Sequence, residues 1–236
     1  ITMLTISKVE TYYGNIQALR GVSVKVNSEE IVTLIGSNGA GKSTLLMTIS
    51  GVNKASSGEI IFDDKHIENM PPHDIVNLGI SQVPEGRRIF SELTVLENLK
   101  LGGFSASDTV QENVERVYDL FPILKEKKDA NGSSLSGGQQ QQLAIARALI
   151  FDPDIIILDE PAEGIQPSIV KFIGSTLINL SKNLKKAFIV VEQNISLISQ
   201  LNSDCLLVEK GKLSKKIKSS DLNSIEKARS LLSLHK

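Results

Sequence analysis

At 236 residues, 41% hydrophobic and 22% charged, the chain can bury a sizeable core as one large domain or two small ones, and its composition excludes a disordered polypeptide. A formal net charge of -1 and a pI near 6.4 exclude a general basic field, so nucleic acid is not an expected partner. The single cysteine, Cys205, rules out an internal disulfide and, lying in the apolar run 205–208, predicts a buried thiol in a reducing compartment.

The opening ITMLTISKVE has polar residues at every second position, which fits neither a signal peptide nor a membrane span. No apolar run approaches the roughly 20 residues a bilayer crossing needs, so any membrane role is expected to be carried by a partner. Residues 4–9, 22–26 and 59–62 alternate apolar and polar side chains and predict strands of a half-exposed antiparallel sheet. Tyr12-Tyr13-Gly14 falls between the first two, and its rings have two readings at this point: stacking on a base, or ordinary packing.

The stretch IVTLIGSNGAGKST, residues 31–44, carries the strongest signal. A short apolar strand runs into Gly36, Gly41, Lys42 and Ser43 at the spacing G-x-x-x-x-G-K-[ST], and Leu45, Leu46 and Ile49 follow at helical period. A polyphosphate is held closely by backbone N–H groups turned inward by glycine-permitted angles at the positive end of a helix. Lys42 is then expected against the β- and γ-phosphates, and Ser43 on Mg²⁺.

Residues 54–58 predict a turn, and residues 79–84 a strand that Glu85-Gly86-Arg87-Arg88 interrupts. Residues 93–101 and 110–124 are expected to be helical, the latter from Val110, Val114, Val117, Phe121 and Leu124 at spacings of three and four. NGSSLSGG, residues 131–138, is too polar for a core, and a helix is predicted over 139–150 with Ser136 as its N-cap. Ile155-Ile156-Ile157-Leu158 then leads into Asp159-Glu160, which predicts a strand buried on both faces whose carboxyl end meets a ligand. A further buried strand over 188–191 ends in Glu192-Gln193, and the lysines of 181–186 and 210–218 are read as a solvated face. Residues 221–236 resemble a short amphipathic tail with no assigned role. There is no internal repeat, and His66, His73 and His235 lie too far apart, without cysteine company, to suggest zinc.

A phosphate loop, a Mg²⁺-side Asp159 and a neighbouring Glu160 supply what ATP hydrolysis needs, with Glu160 orienting and deprotonating the attacking water. A GTPase would need N-K-x-D, and Asn53-Lys54-Ala55-Ser56 lacks the acid.

Leu135-Ser136-Gly137-Gly138-Gln139, shortly before a strand ending in Asp-Glu, resembles the signature of ABC-type ATPases, and the likeness covers about residues 4–217. It implies an α/β fold: a P-loop, RecA-like core with a parallel sheet, an N-terminal antiparallel β subdomain and a helical insert. The chain would be a single ABC ATPase domain, with 1–84 and 152–236 as the core and 85–151 as the helical subdomain. It further implies ATP and Mg²⁺ as cofactors. Tyr13 would stack on adenine, and Gly36, Ser37, Asn38, Gly39, Ala40, Gly41, Lys42, Ser43 and Thr44 would hold phosphate. Ser136, Gly137, Gly138 and Gln139 would close on the nucleotide of a second ATPase subunit. Ser43, Asp159 and Glu85 would lie on the metal side, and Glu160 and Gln193 would be catalytic.

Four positions depart from the commonest pattern: Glu85 and Gln193 where glutamine and histidine are usual, Gln166 for aspartate, and Gln142 for arginine. Gln82 is a weaker substitute for the glutamine. VPEGRRIF, LTVLENL and VEQN together are similar to the LivF-type ATPases of branched-chain amino acid importers, in which the glutamate and glutamine departures are usual. That branch implies a cytoplasmic subunit, peripheral on the inner face of the membrane, working with a second ATPase, membrane permeases docked on the insert near Arg87, Arg88 and Phe90, and an extracytoplasmic solute-binding protein. Other readings are an ATPase for urea, amide or exported lipid, a soluble ABC ATPase of translation or repair, and a non-hydrolysing ATP-dependent clamp.

Overall fold

The computed structural model describes residues 1–102 and 109–222, so nearly all of the tail at 221–236 lies outside the described residues. The chain opens with β1 (Thr2–Tyr13) and β2 (Ile16–Asn27), followed by β3 (Ile31–Ile35), α1 (Lys42–Ile49), β4 (Ser57–Phe62) and β5 (Lys65–His66). After α2 (Pro72–Leu78) and β6 (Ile80–Val83) come four helices in succession: α3 (Val95–Gly102), α4 (Val110–Leu120), α5 (Pro122–Glu126) and α6 (Gly137–Leu149). The chain then alternates β7 (Ile155–Asp159), α7 (Pro167–Leu184), β8 (Ala187–Val191) and α8 (Ile195–Leu201), and ends in the hairpin β9 (Asp204–Glu209) and β10 (Lys212–Lys218).

Two sheets result. One is antiparallel, in the order β2-β1-β4-β5. The other runs β10-β9-β3-β8-β7-β6, parallel throughout except for the edge strand β10. The antiparallel strands are longer than the alternation at 4–9 and 22–26 predicts. Register shifts between Ile6 and Val9 and between Val9 and Glu10 break the two-residue period while the ladder continues to Tyr13.

The parallel strands are apolar on both faces for a visible reason. Ile155 and Ile157 of β7 pack with the antiparallel sheet and α1, whereas Ile156 and Leu158 pack with α6 and α7. Ala187, Ile189 and Val191 of β8 divide from Phe188 and Val190 in the same way. A strand between two cores cannot alternate with polar residues.

The expected single helix over 110–124 is two helices. Phe121, preceding Pro122, has φ -131° and ψ 73°, because proline drives the preceding residue out of the helical region. Its buried ring meets Phe172 of α7 edge-on, with centroids 6.1 Å apart. The segment before α3 is shaped by fully buried Asn98, which donates to the carbonyls of Phe90, Leu93 and Thr94 and accepts from the Phe90 N–H. Asp152 ties α4 to the main sheet, pairing with Arg116 at 3.1 Å and with Lys186 at 2.9 Å. Cys205 is buried as expected, its thiol pushed up to about 11 by burial.

Candidate active site

The phosphate loop leaves the carboxyl end of β3, between β8 and β9. Gly41, at φ 108°, precedes α1, whose first turn carries neither a side-chain cap nor an acid, so its end amides are open to an anion. Gly36 has φ 152°, and a Cβ there would fall 2.3 Å from the Val208 carbonyl oxygen. The buried Lys42 ammonium spans the loop, donating to Gly36 O at 2.8 Å and Ser37 O at 3.0 Å. Burial pulls it below the ordinary lysine value, against the opposing fields of Glu160, Asp159 and Glu85.

A cavity of about 600 Å³ opens over this loop, and Asn38, Gly39, Gly41, Lys42, Ser43 and Thr44 line it. Glu85, Glu160 and Tyr13 line it as well. Tyr13 accepts a hydrogen bond from Asn53 Nδ2 at 2.5 Å and remains 46% exposed, which leaves ring area free at the cavity rim. Gly36, Ser37 and Ala40 do not reach the cavity wall: the first two face Lys42 with their carbonyls, and Ala40 is packed in the core.

Asp159 ends β7 and is buried; one oxygen, Oδ1, has no hydrogen-bond partner, and Ser43 bonds to the carboxyl. Burial raises its pKa, Glu160 and Glu85 add to the rise, and Ser43 and Lys42 oppose it. An orphaned carboxylate oxygen beside a serine hydroxyl fits Mg²⁺, which takes one or two carboxylates and completes its shell with phosphate and water. No cluster of three or more His, Cys, Asp or Glu suited to a metal occurs among the described residues, as such a shared site requires none. Glu160 sits at φ 48°, its N–H bonded to Val191 O at 2.9 Å. Gln193 Nε2 uses both hydrogens, donating to Glu160 Oε1 at 2.8 Å and to Asn38 Oδ1 at 2.9 Å.

Ser136 caps α6 as expected, within a reciprocal capping box: its Oγ accepts from Gln139 N, and Gln139 Oε1 accepts from Ser136 N. The side-chain oxygen of Gln139 is therefore committed to the helix start. Ser136, Gly137, Gly138 and Gln139 line a second cavity of about 580 Å³, walled by Ile169 and Phe172. It shares no lining residue with the cavity over the phosphate loop. Arg87 lies against this region, its NH1 3.1 Å from where a Gly137 Cβ would be and 3.3 Å from Gln140 Oε1.

Sequence reasoning missed two contributors. Lys210 and Gly211 are the tip of the β9–β10 hairpin and line the phosphate-loop cavity, so this lysine does not belong to the expected solvated face. A Cβ on Gly211 would fall 2.3 Å from Ala18 O, and the Gly211 N–H bonds to Ala40 O. The dipeptide Lys-Gly just after the apolar run 205–208 is the signal that could have found the turn. The other is Glu192, only 2% exposed, which accepts from the N–H groups of Gln193, Asn194 and Ala162. Burial pushes its carboxyl up and the three amides hold it down.

A glycine-lined anion loop at the mouth of a parallel sheet, beside two acids that end the strand two positions away, defines a nucleoside triphosphatase of the phosphate-loop class. The sequence pattern of the family described as ABC transporter matches residues 19–163, and the chain belongs to that family. It is 46% identical over 212 residues to the high-affinity branched-chain amino acid transport ATP-binding protein BraG of Pseudomonas aeruginosa, covering 89% of this chain and 91% of the relative. With the probable branched-chain amino acid transport ATP-binding protein LivF of Archaeoglobus fulgidus the identity is 31%, covering 89% and 90%. Among solved structures, a dimeric ATP-binding cassette in a post-hydrolysis state with ADP and Pi superposes with a TM-score of 0.81 at 26% identity, covering 92% of this chain and 99% of that one.

Proposed function

We propose that this chain is the ATP-hydrolysing subunit of a branched-chain amino acid importer, folded as one domain in which 85–151 is a helical subdomain on a core of 1–84 and 152–236. ATP enters the cavity over the phosphate loop, its base on Tyr13, and the triphosphate replaces the Gly36 and Ser37 carbonyls as the partner of Lys42. Ser43 and Asp159 would hold Mg²⁺, with Glu85 beside them, and that ion would supply charge neutralisation to the triphosphate. Glu160 takes the proton from the attacking water. Gln193 orients it and cannot change charge near neutral pH, so the base role falls to Glu160 alone.

The observation that carries this reading is the junction of Glu160, Gln193 and Asn38, which fixes a carboxylate at the wall of the cavity that holds Lys42 and Ser43. The signature segment opens on a different cavity, so it serves the nucleotide of a second ATPase subunit, and two chains clamp two ATP molecules. No helix among the described residues is long and apolar enough to cross a membrane, and transport therefore requires permease subunits. Phe90, half exposed, lies under the Arg147 guanidinium at 5.2 Å beside a groove lined by Leu101 and Phe151, and this is the face that takes the permeases. The subunit thus works on the cytoplasmic face of the membrane and meets an extracytoplasmic solute-binding protein only through them.

Glu160→Gln tests the reading. It keeps shape and hydrogen bonds but removes the base, so steady-state ATP turnover of the complex should fall at least about 100-fold while nucleotide affinity stays at the parent level. Turnover near the parent rate in that variant refutes the assignment.

A further inference from the structure

We propose that Glu192 is a positioning residue for hydrolysis: its carboxylate staples the loop that follows Glu160 to the loop that carries Gln193, and so sets the distance between them. The inference rests on the hydrolytic role of Glu160 proposed above. One oxygen, Oε1, accepts from Gln193 N at 2.7 Å and Asn194 N at 2.8 Å; the other, Oε2, accepts from Ala162 N at 3.1 Å. The two backbone segments it joins each hold one end of the Glu160–Gln193 side-chain bond at 2.8 Å. Its own N–H bonds to Leu34 O in β3, so the staple is anchored to the strand that delivers the phosphate loop.

Burying a carboxylate is costly unless it is hydrogen-bonded, and a neutral or apolar side chain would pack here without that cost. What the carboxylate alone provides is acceptance of three divergent amides at once, which a carboxamide cannot do because one end is a donor. Glu192→Gln keeps the pair at Gln193 and Asn194 and turns the NH₂ toward the Ala162 N–H. The link to the catalytic loop then opens. Misplacement of reacting groups by about 1 Å can cost about 10²-fold in rate.

The test is steady-state ATP hydrolysis by the assembled complex carrying Glu192→Gln, Gln193→Ala, or both, with Glu160→Gln as control. Expected are a fall in kcat of about tenfold or more for Glu192→Gln, a KM for ATP within about twofold of the parent, and a double variant no slower than the slower single one, because Glu192 acts through Gln193. A parent-like kcat, a loss confined to KM, or effects that multiply in the double variant overturn the proposal. Should Glu192→Gln not fold, Glu192→Asp, which keeps the charge but shortens the reach, is read by the same criteria. If Glu160→Gln stays active, the hydrolytic reading itself fails; if it is dead while Glu192→Gln matches the parent, only the staple fails.

Discussion

Gly36 shows how little room the site leaves. With φ at 152° and the Val208 carbonyl 2.3 Å from the place of a Cβ, any side chain must displace the strand β9 that supports the loop. Gly36→Ala is expected to lower folding stability by about 1–3 kcal/mol and to weaken ATP binding, measured by denaturant unfolding and nucleotide titration. Lys42 marks the opposite case, a residue whose sequence motif states its role but whose resting partners, Gly36 O and Ser37 O, are visible only in the fold. Glu192 lies in the VEQN segment, but nothing in that segment states what it does. Next to Gln193 it reads as one more acid after a strand, and although two of its amide partners are its chain neighbours, the third, Ala162, lies 30 residues away.

At the scale of elements, helix starts decide the chemistry. α1 begins uncapped and open to phosphate, whereas α6 begins with a capping box that consumes both Ser136 and Gln139 side chains. Ser136→Ala should cost about 1 kcal/mol of stability through the lost cap. If, as proposed, the hydroxyl also meets the nucleotide of a second subunit, ATP turnover of the complex should fall by more than that stability loss accounts for; unfolding curves and turnover measured together separate the two. α7, like α2 and α8, has no counterpart among the elements expected from the sequence, although Val170, Ile173, Leu177 and Leu180 recur at helical spacing and Pro167 stands at its first turn.

At the scale of the molecule, apolar packing and, among the described residues, the charged cluster Arg116–Asp152–Lys186 join the helices that follow β6 to the main sheet. Burial raises the Asp152 carboxyl and its two cations outweigh that effect, holding it below the usual carboxylate value. A depressed folded pKa means its contribution is present at neutral pH and is lost as pH falls through the carboxylate range. Asp152 is about half exposed, so Asp152→Asn should cost no more than about 1 kcal/mol, less at high salt. Asparagine tolerates the left-handed backbone at this position, φ 54°, so the substitution isolates the charge. Thermal unfolding at pH 7 and at pH 3 checks it: the difference between parent and variant should be smaller at the lower pH.

By itself the sequence determined the phosphate loop, the strand that ends in Asp159-Glu160, the capped signature helix and the family, because each is carried by residues adjacent in the chain with a fixed local geometry. Only the tertiary structure decided that Glu160, Gln193 and Asn38 meet, that the Lys210-Gly211 turn walls the nucleotide cavity, that a proline divides the insert's second helix, and that the signature opens away from the phosphate loop. Those facts depend on parallel strands bringing together loops far apart in sequence, and no local period records which crossover places which loop beside another.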